Sequence, residues 1–181
     1  WLELNFKLSL HTLRIEQKTY SLSSTKSSVS TASVLTDFKE ITKMGLSVSV
    51  VFSALAGYLL GAETINITTL ILLAFGGYFM VGASNAYNQI IERDLDALMD
   101  RTKNRPIPAG RMTVNIAFII ATSFTILGLI TLYIINPKTA MYGAISIFLY
   151  TSIYTPLKTK TSLAVFVGAL PGAIPFMLGW V

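Results

Sequence analysis

Four of the nine acidic residues of this 181-residue chain lie close together, at Glu92, Asp94, Asp96 and Asp100. An α-helix turns about 100° per residue, so Asn88, Glu92 and Asp96 share one face and Asp94 points to roughly the opposite side. Two carboxylates one turn apart repel each other, and a bound cation removes that repulsion. Oxygen ligands without His or Cys suit Mg²⁺, which completes its shell with water and substrate phosphate. The spacing predicts a Mg²⁺ site at Asn88, Glu92 and Asp96, with Asp100 a weaker candidate.

A strongly basic loop follows these acids directly. Pro106 and Pro108 are predicted to stop the helix, Gly110 permits a turn, and Thr113 can cap the next helix. A Mg²⁺-pyrophosphate complex requires carboxylates that hold the metal. It also requires nearby cations that neutralise the phosphate oxygens and the departing leaving group. The loop carries four cations, Arg101, Lys103, Arg105 and Arg111, and we expect the first three to bind pyrophosphate.

A second basic connection contains Tyr154, Lys158 and Lys160. We predict that Lys158 binds phosphate and that Tyr154 lines the site, where an aromatic face can stabilise an allylic cation. Tyrosine at this depth is also typical of the aromatic belt of membrane proteins.

Simpler interpretations of the charges remain open from the sequence. The acidic residues could form a solvated face at the end of a membrane helix, paired with Arg93, Arg101 and Lys103. The basic loop could serve only as a positive-inside anchor.

The elements that must position these residues are membrane helices. The chain is 52% hydrophobic and only 13% charged, and its mean hydropathy is +0.61, values typical of a membrane protein. Backbone groups in lipid must be satisfied within each segment, which requires helices. We predict an all-α, polytopic transmembrane helical bundle with four apolar runs and a fifth, unfinished one from Leu163: Met44–Leu60, Thr69–Ile91, Val114–Ile135 and Ala140–Tyr154.

Lys and Arg alternate between the connections of these runs. They precede the first run and fill the second-to-third and fourth-to-fifth connections, whereas the other two connections hold one Lys between them. This pattern places the N-terminus and the site loops in the cytoplasm, most simply at a bacterial inner membrane, with the matrix side of a mitochondrial inner membrane as the alternative. The net charge of +5 is spread over short segments, so we expect no nucleic-acid binding.

The first 36 residues are rich in Ser and Thr and predict a disordered tail ahead of a membrane domain at 37–181. A transit peptide is the alternative, although only Arg14 stands against Glu3 and Glu16. His11, the only histidine, is expected to be a solvated tail residue rather than a ligand. The chain begins with Trp1 and ends inside an apolar run, so we expect it to be part of a longer protein. Its lack of cysteine excludes thiolate ligands and disulfides.

The fifth run contains two prolines among small residues, in the stretch Gly168-Ala-Leu-Pro171-Gly172-Ala-Ile-Pro175. Two interpretations are about equally supported. The stretch could be a packed, bent helix, or a helix broken beside a substrate cavity.

Four motifs in order resemble the UbiA-type prenyltransferase superfamily and, within it, the haem O synthases (protohaem IX farnesyltransferases). The superfamily's first acidic motif is Asn-x-x-x-Asp-x-x-x-Asp, and this chain differs by Glu92 at its centre. The resemblance spans about Phe38 to Val181 and depends on four stretches: Ser84–Asp96, Arg101–Pro106, Tyr154–Lys158 and Gly168–Pro175.

The resemblance implies that Mg²⁺ assists departure of pyrophosphate from farnesyl pyrophosphate, and that a vinyl group of protohaem IX captures the farnesyl cation. By position, Asn88, Glu92 and Asp96 would hold the metal-pyrophosphate. The residues that would bind phosphate are Arg101, Lys103, Arg105 and Lys158. Family members have about nine membrane helices and a second acidic motif, which this chain lacks, so we expect the chain alone to be inactive. The porphyrin acceptor depends on the resemblance alone.

Two other functions remain open from the sequence. Another enzyme of the superfamily would attach the prenyl group to an aromatic quinone precursor by the same ionisation. A non-enzymatic cation-binding membrane protein would keep the acids but give the basic loop no purpose, and transporters usually carry ionisable groups nearer mid-membrane.

Overall fold

The structure is a computed structural model that describes residues 31–180. The chain divides into two compact units, Trp1–Leu35 and Thr36–Val181, and only the first turn of α1 is described in the former. The predicted tail, with His11, lies almost wholly outside the described residues, although α1 begins inside its predicted span. Residues 31–180 are helical without a β-strand, as predicted: α1 Thr31–Thr42, α2 Met44–Gly61, α3 Ile67–Ile91, α4 Arg93–Leu98, α5 Val114–Ile135, α6 Pro137–Phe148, a π-helix Leu149–Tyr154, α7 Thr155–Leu157 and α8 Ala164–Leu178.

Three of the described helices, α2, α3 and α5, are long and apolar enough to cross a membrane. They match the first three predicted runs to within a few residues. Side-chain caps explain where two of them begin: the Asn66 side chain accepts hydrogen bonds from the amides of Thr68 and Thr69, and Thr113 accepts one from Ile116, as predicted. Capping oxygens satisfy amides that have no partner within the first turn.

The fourth predicted run is longer than expected and is not a uniform α-helix. It begins at Pro137 and passes through the π-helix into α7. The amide of Thr155 donates to the carbonyl of Tyr150, five residues earlier, and Pro156 then lacks the N–H that would continue a regular ladder. The wider turn changes the direction of the tyrosines just before the second basic connection.

The prediction that prolines stop the helix of the acidic cluster is wrong. That helix, α4, already ends at Leu98, and Pro106 lies buried further along the loop. The predicted turn at Gly110 is present, with a left-handed φ of 71° that glycine adopts without a steric penalty.

The apolar helices pack against one another in a closed series of contacts. Helix α3 packs against α2 and α5, α5 against α6, and α8 contacts both α2 and α6. Helix α8 is continuous through Pro171 and Pro175, so it packs as an unbroken helix. At Gly57 of α2, an added Cβ would collide with the backbone carbonyl of Phe176, which allows α2 and α8 to approach closely.

A cluster of buried side chains holds the basic loop in place. It joins α1, α3, the loop and α5 through Ile41, Ala86, Ile107, Ala117 and Ala121. Because α3 carries Asn88 and the loop carries Arg105, the cluster holds this loop cation in position relative to the acidic residues.

Candidate functional site

Asn88, Glu92 and Asp96 remain on one face although α3 ends between them. The backbone has an irregular conformation at Glu92 (φ −95°, ψ 5°). The amide of Glu92 still donates to the carbonyl of Asn88 at 3.0 Å, and the amide of Asp96 to that of Glu92 at 2.8 Å. All three residues are buried, with 2%, 9% and 4% of their surface exposed. The helical-phase prediction therefore holds for their positions.

Glu92 and Asp96, the two inner carboxylates, pair with cations from outside their own helices. Lys158 Nζ lies 2.8 Å from Glu92 Oε2, and Arg105 Nη1 donates to Asp96 Oδ2 at 2.6 Å. Burial strengthens such pairs, but the cost of removing both charges from water offsets much of the gain. Each cation could therefore exchange its carboxylate for another anion when a metal ion compensates the carboxylate that it leaves.

Asn88 links the acids to the second basic connection. Its Nδ2 donates to Glu92 Oε2 at 2.9 Å. Its Oδ1 accepts from Thr155 Oγ1 at 3.2 Å and from Lys158 Nζ at 3.1 Å. This network orients the amide oxygen and the Glu92 carboxylate toward the same space.

The other two acids of the cluster lie outside. Asp94 is 89% exposed and lies 3.5 Å from its neighbour Arg93. Asp100 is 98% exposed and accepts from Lys103 Nζ at 2.7 Å. The structure places Lys103 away from the inner acids, in contrast to its predicted role, because the chain turns after Leu98 and directs it to Asp100.

A polar cavity of about 460 Å³ lies over the inner acids. The predicted residues that line it are Asn88, Glu92, Asp96, Arg101, Arg105, Tyr154 and Lys158. The structure thus brings together seven of the eight predicted site residues.

A second cavity, of about 500 Å³, adjoins the first and is largely apolar. Its lining comes from α2, α3, α6 and α8 together with Tyr150 and Tyr154 of the π-helix, and those two tyrosines also line the polar cavity. Their rings stack at 5.2 Å between centroids, and Lys158 Nζ is 5.5 Å from the Tyr154 centroid. A charged head group could occupy the polar cavity while an apolar chain extends past the tyrosines.

Several cavity residues were not predicted as site residues, among them Lys43, Thr102, Tyr150 and Thr159. Lys43 belongs to the junction of α1 and α2. Burial, together with the charges of Arg105 and Lys158, lowers the pKa of its ammonium. Lys43 lies more than forty residues before the acidic motif, so the sequence pattern did not connect the two. The one signal in the sequence was its position immediately before the first membrane helix.

The donor set suits a metal that shares its shell with a substrate. No three His, Cys, Asp or Glu side chains within residues 31–180 are grouped closely enough to hold a metal ion. Asn88, Glu92 and Asp96 offer two carboxylates and one amide oxygen on successive turns, which matches the small protein contribution that Mg²⁺ usually takes beside phosphate.

Comparison with known proteins gives matches over most of the chain. The model of the UbiA prenyltransferase family matches residues 50–181. A protein of Christiangramia forsetii named protoheme IX farnesyltransferase is 74% identical over 160 residues, which cover 88% of this chain and 53% of that protein. One of the same name from Flavobacterium psychrophilum is 74% identical over 152 residues, covering 82% and 51%. The chain spans about half the length of these curated relatives.

The fold resembles that of a solved UbiA homolog from Archaeoglobus fulgidus, bound to GPP and Mg²⁺. The TM-score is 0.71 at 20% identity, over 80% of this chain and 53% of that one. At this identity the likeness establishes the fold alone.

Proposed function

Because the chain belongs to the UbiA prenyltransferase family, we propose that it is the N-terminal part of a haem O synthase. That enzyme transfers the farnesyl group of farnesyl pyrophosphate to a vinyl group of protohaem IX. The observation that supports this most directly is the polar cavity, where two buried carboxylates and their paired cations lie beside an apolar cavity. The names of the relatives at 74% identity support the acceptor.

Asn88, Glu92 and Asp96 would hold Mg²⁺, which when bound would neutralise pyrophosphate oxygens and make pyrophosphate a better leaving group. Arg101, Arg105 and Lys158 would bind the remaining phosphate oxygens. Arg105 and Lys158 would exchange their carboxylate partners for phosphate, so the charges needed for the leaving group are already in place before the substrate arrives.

The apolar cavity would receive the prenyl chain and exclude water from the reacting carbon. The C1–O bond breaks, and the electron pair leaves with pyrophosphate. The faces of Tyr150 and Tyr154, at the boundary of the two cavities, stabilise the allylic cation. The terminal vinyl carbon of protohaem then bonds to C1, and water adds to the resulting cation and loses a proton, giving the hydroxyethylfarnesyl group.

The assay uses the full-length protein in membranes with Mg²⁺, farnesyl pyrophosphate and either protohaem IX or 4-hydroxybenzoate, with products identified by mass. We expect haem O from protohaem and turnover that stops on chelation of Mg²⁺. Prenylated hydroxybenzoate without haem O would assign a different acceptor. Absence of pyrophosphate release with either acceptor would refute a prenyltransferase.

The three long apolar helices make this an integral membrane protein. We propose that it resides in a bacterial inner membrane with the polar cavity on the cytoplasmic side. The distribution of Lys and Arg among the connections supports this orientation, and the bacterial sources of the relatives support the membrane.

We predict that the 181-residue chain alone does not catalyse the transfer. One group of ligands at Asn88, Glu92 and Asp96 serves about one Mg²⁺, whereas pyrophosphate departure is best assisted by cations on several of its oxygens. The measurement is haem O formation by this chain in membranes, with and without the remaining half supplied as a separate chain. Activity restored only by the second half is expected, and activity of the first half alone would contradict a shared site.

A further inference from the structure

Lys43 has a backbone conformation that lysine rarely adopts. With φ 46° and ψ 57°, it is the only non-glycine residue with positive φ among residues 31–180. The left-handed region is sterically unfavourable for side chains with a Cβ, and glycine or asparagine is usual where a helix must end this way. Residues held in such conformations often lie at functional sites.

Two buried amides of α3 hold the bend from one side. Gln89 Nε2 donates to the carbonyls of Glu40 at 3.0 Å and Ile41 at 3.1 Å. Asn85 Nδ2 donates to the carbonyl of Thr42 at 3.3 Å. These carbonyls belong to the last turn of α1, where the regular helical ladder ends. The helix that bears Asn88 therefore also determines the position of Lys43.

Arg111 of the basic loop holds α1 from the other side. Its Nε donates to Asp37 Oδ1 and its Nη2 to Glu40 Oε2, both at 2.7 Å. Helix α1 is thus held by α3, which leads into the acidic residues, and by the basic loop, which carries Arg105. This makes the position of Lys43 relative to the polar cavity well determined.

The side chain of Lys43 lines the polar cavity together with Glu92, Asp96, Arg105 and Lys158. The last two cations are paired with the carboxylates. Lys43 forms no side-chain hydrogen bond or ion pair with any residue in the described part of the chain. Asp96 and Glu92 attract this ammonium, but both are already paired with Arg105 and Lys158, which repel it. A partly buried ammonium in this position is unfavourable until a further anion binds.

We propose that Lys43 is a further pyrophosphate-binding residue, whose ammonium contacts the phosphates of the prenyl donor. The inference rests on the proposed function and adds a residue that lies outside all four sequence motifs. Unlike Arg105 and Lys158, Lys43 need not break an ion pair to receive the anion. A bend alone would be made with less strain by glycine, so the charge explains the choice of lysine.

The test separates the ammonium from the backbone. In the full-length protein, Lys43→Gly removes the charge and favours the left-handed conformation, and Lys43→Asn does the same with a side chain. We expect both variants to keep the wild-type melting temperature. Their KM for farnesyl pyrophosphate and Kd for inorganic pyrophosphate with Mg²⁺ should rise about 10- to 100-fold, the range for loss of a charged hydrogen bond. The KM for protohaem should stay unchanged.

Two controls complete the experiment. Lys43→Arg should restore most of the affinity, and Lys39→Ala, which removes an exposed lysine of α1 one turn earlier, should behave as wild type. Wild-type pyrophosphate binding by Lys43→Gly or Lys43→Asn, or equal losses toward both substrates, would overturn the inference. If the wild-type protein itself neither binds pyrophosphate nor uses the prenyl donor, the proposed function fails instead.

Discussion

Glu92 and Asp96 differ from Asp94 and Asp100 in what neutralises them, although all four belong to one short segment. The inner pair is buried and bound to Lys158 and Arg105, cations of the second basic connection and the basic loop. The outer pair is almost fully exposed and bound to residues one and three positions away.

This difference separates two uses of charge. An exposed local pair gains little, because water screens both groups and the side chains lose freedom. A buried pair assembled from distant elements concentrates charge at one point of the fold and leaves it available for exchange with a ligand. The inner acids therefore have the properties of a binding site, and the outer acids those of a solvated helix end.

The largest expected effect tests the inner acids directly. Glu92→Gln and Asp96→Asn should each lower turnover of the full-length enzyme by at least about a hundredfold, the order seen when a preorganised group is removed from a site. The matched control Asp94→Asn should remain within about threefold of wild type. Haem O formation at saturating Mg²⁺ measures the effect, with melting temperature as the check on folding. An equal loss at Asp94 would remove the distinction between the two faces.

Among the basic residues we expect the same contrast between buried and exposed side chains, with smaller effects of substitution. Lys158→Ala should raise the KM for farnesyl pyrophosphate about 10- to 100-fold, because it removes a charged hydrogen-bond donor from the cavity. Lys160→Ala, an exposed lysine of the same connection, should change it little. The KM for protohaem serves as the internal comparison. If both variants alter only the amount of protein inserted, the lysines act as positive-inside signals.

The smallest effect is expected for the outer ion pair. Lys103→Ala and Asp100→Asn should change the KM for farnesyl pyrophosphate by less than about threefold, because both side chains are exposed and, among the described residues, pair only with each other. Steady-state kinetics of the two single variants and the double variant measure this. A tenfold rise in Lys103→Ala would restore the role that the sequence motif predicted for it.

The sequence by itself determined the features that depend on neighbouring residues. The apolar runs predicted α2, α3 and α5, because a segment surrounded by lipid must satisfy its backbone groups within one helix. The oxygen of Thr113 and the missing Cβ of Gly110 predicted a cap and a turn, because both act within a few residues. Helical phase predicted that Asn88, Glu92 and Asp96 share a face and that Asp94 does not.

Only the tertiary structure decided which groups meet across the chain. The pairing of Lys158 with Glu92 and the arrival of Lys43 at the cavity depend on how α1, α3 and the π-helix pack, and no local pattern encodes that packing. The position of Lys103 shows the same limit, since α4 ends at Leu98 and the loop that follows brings Lys103 to the exposed Asp100. Contacts between distant residues depend on the whole set of buried interfaces, whereas caps, spans and helical phase depend on the backbone geometry of a few consecutive residues.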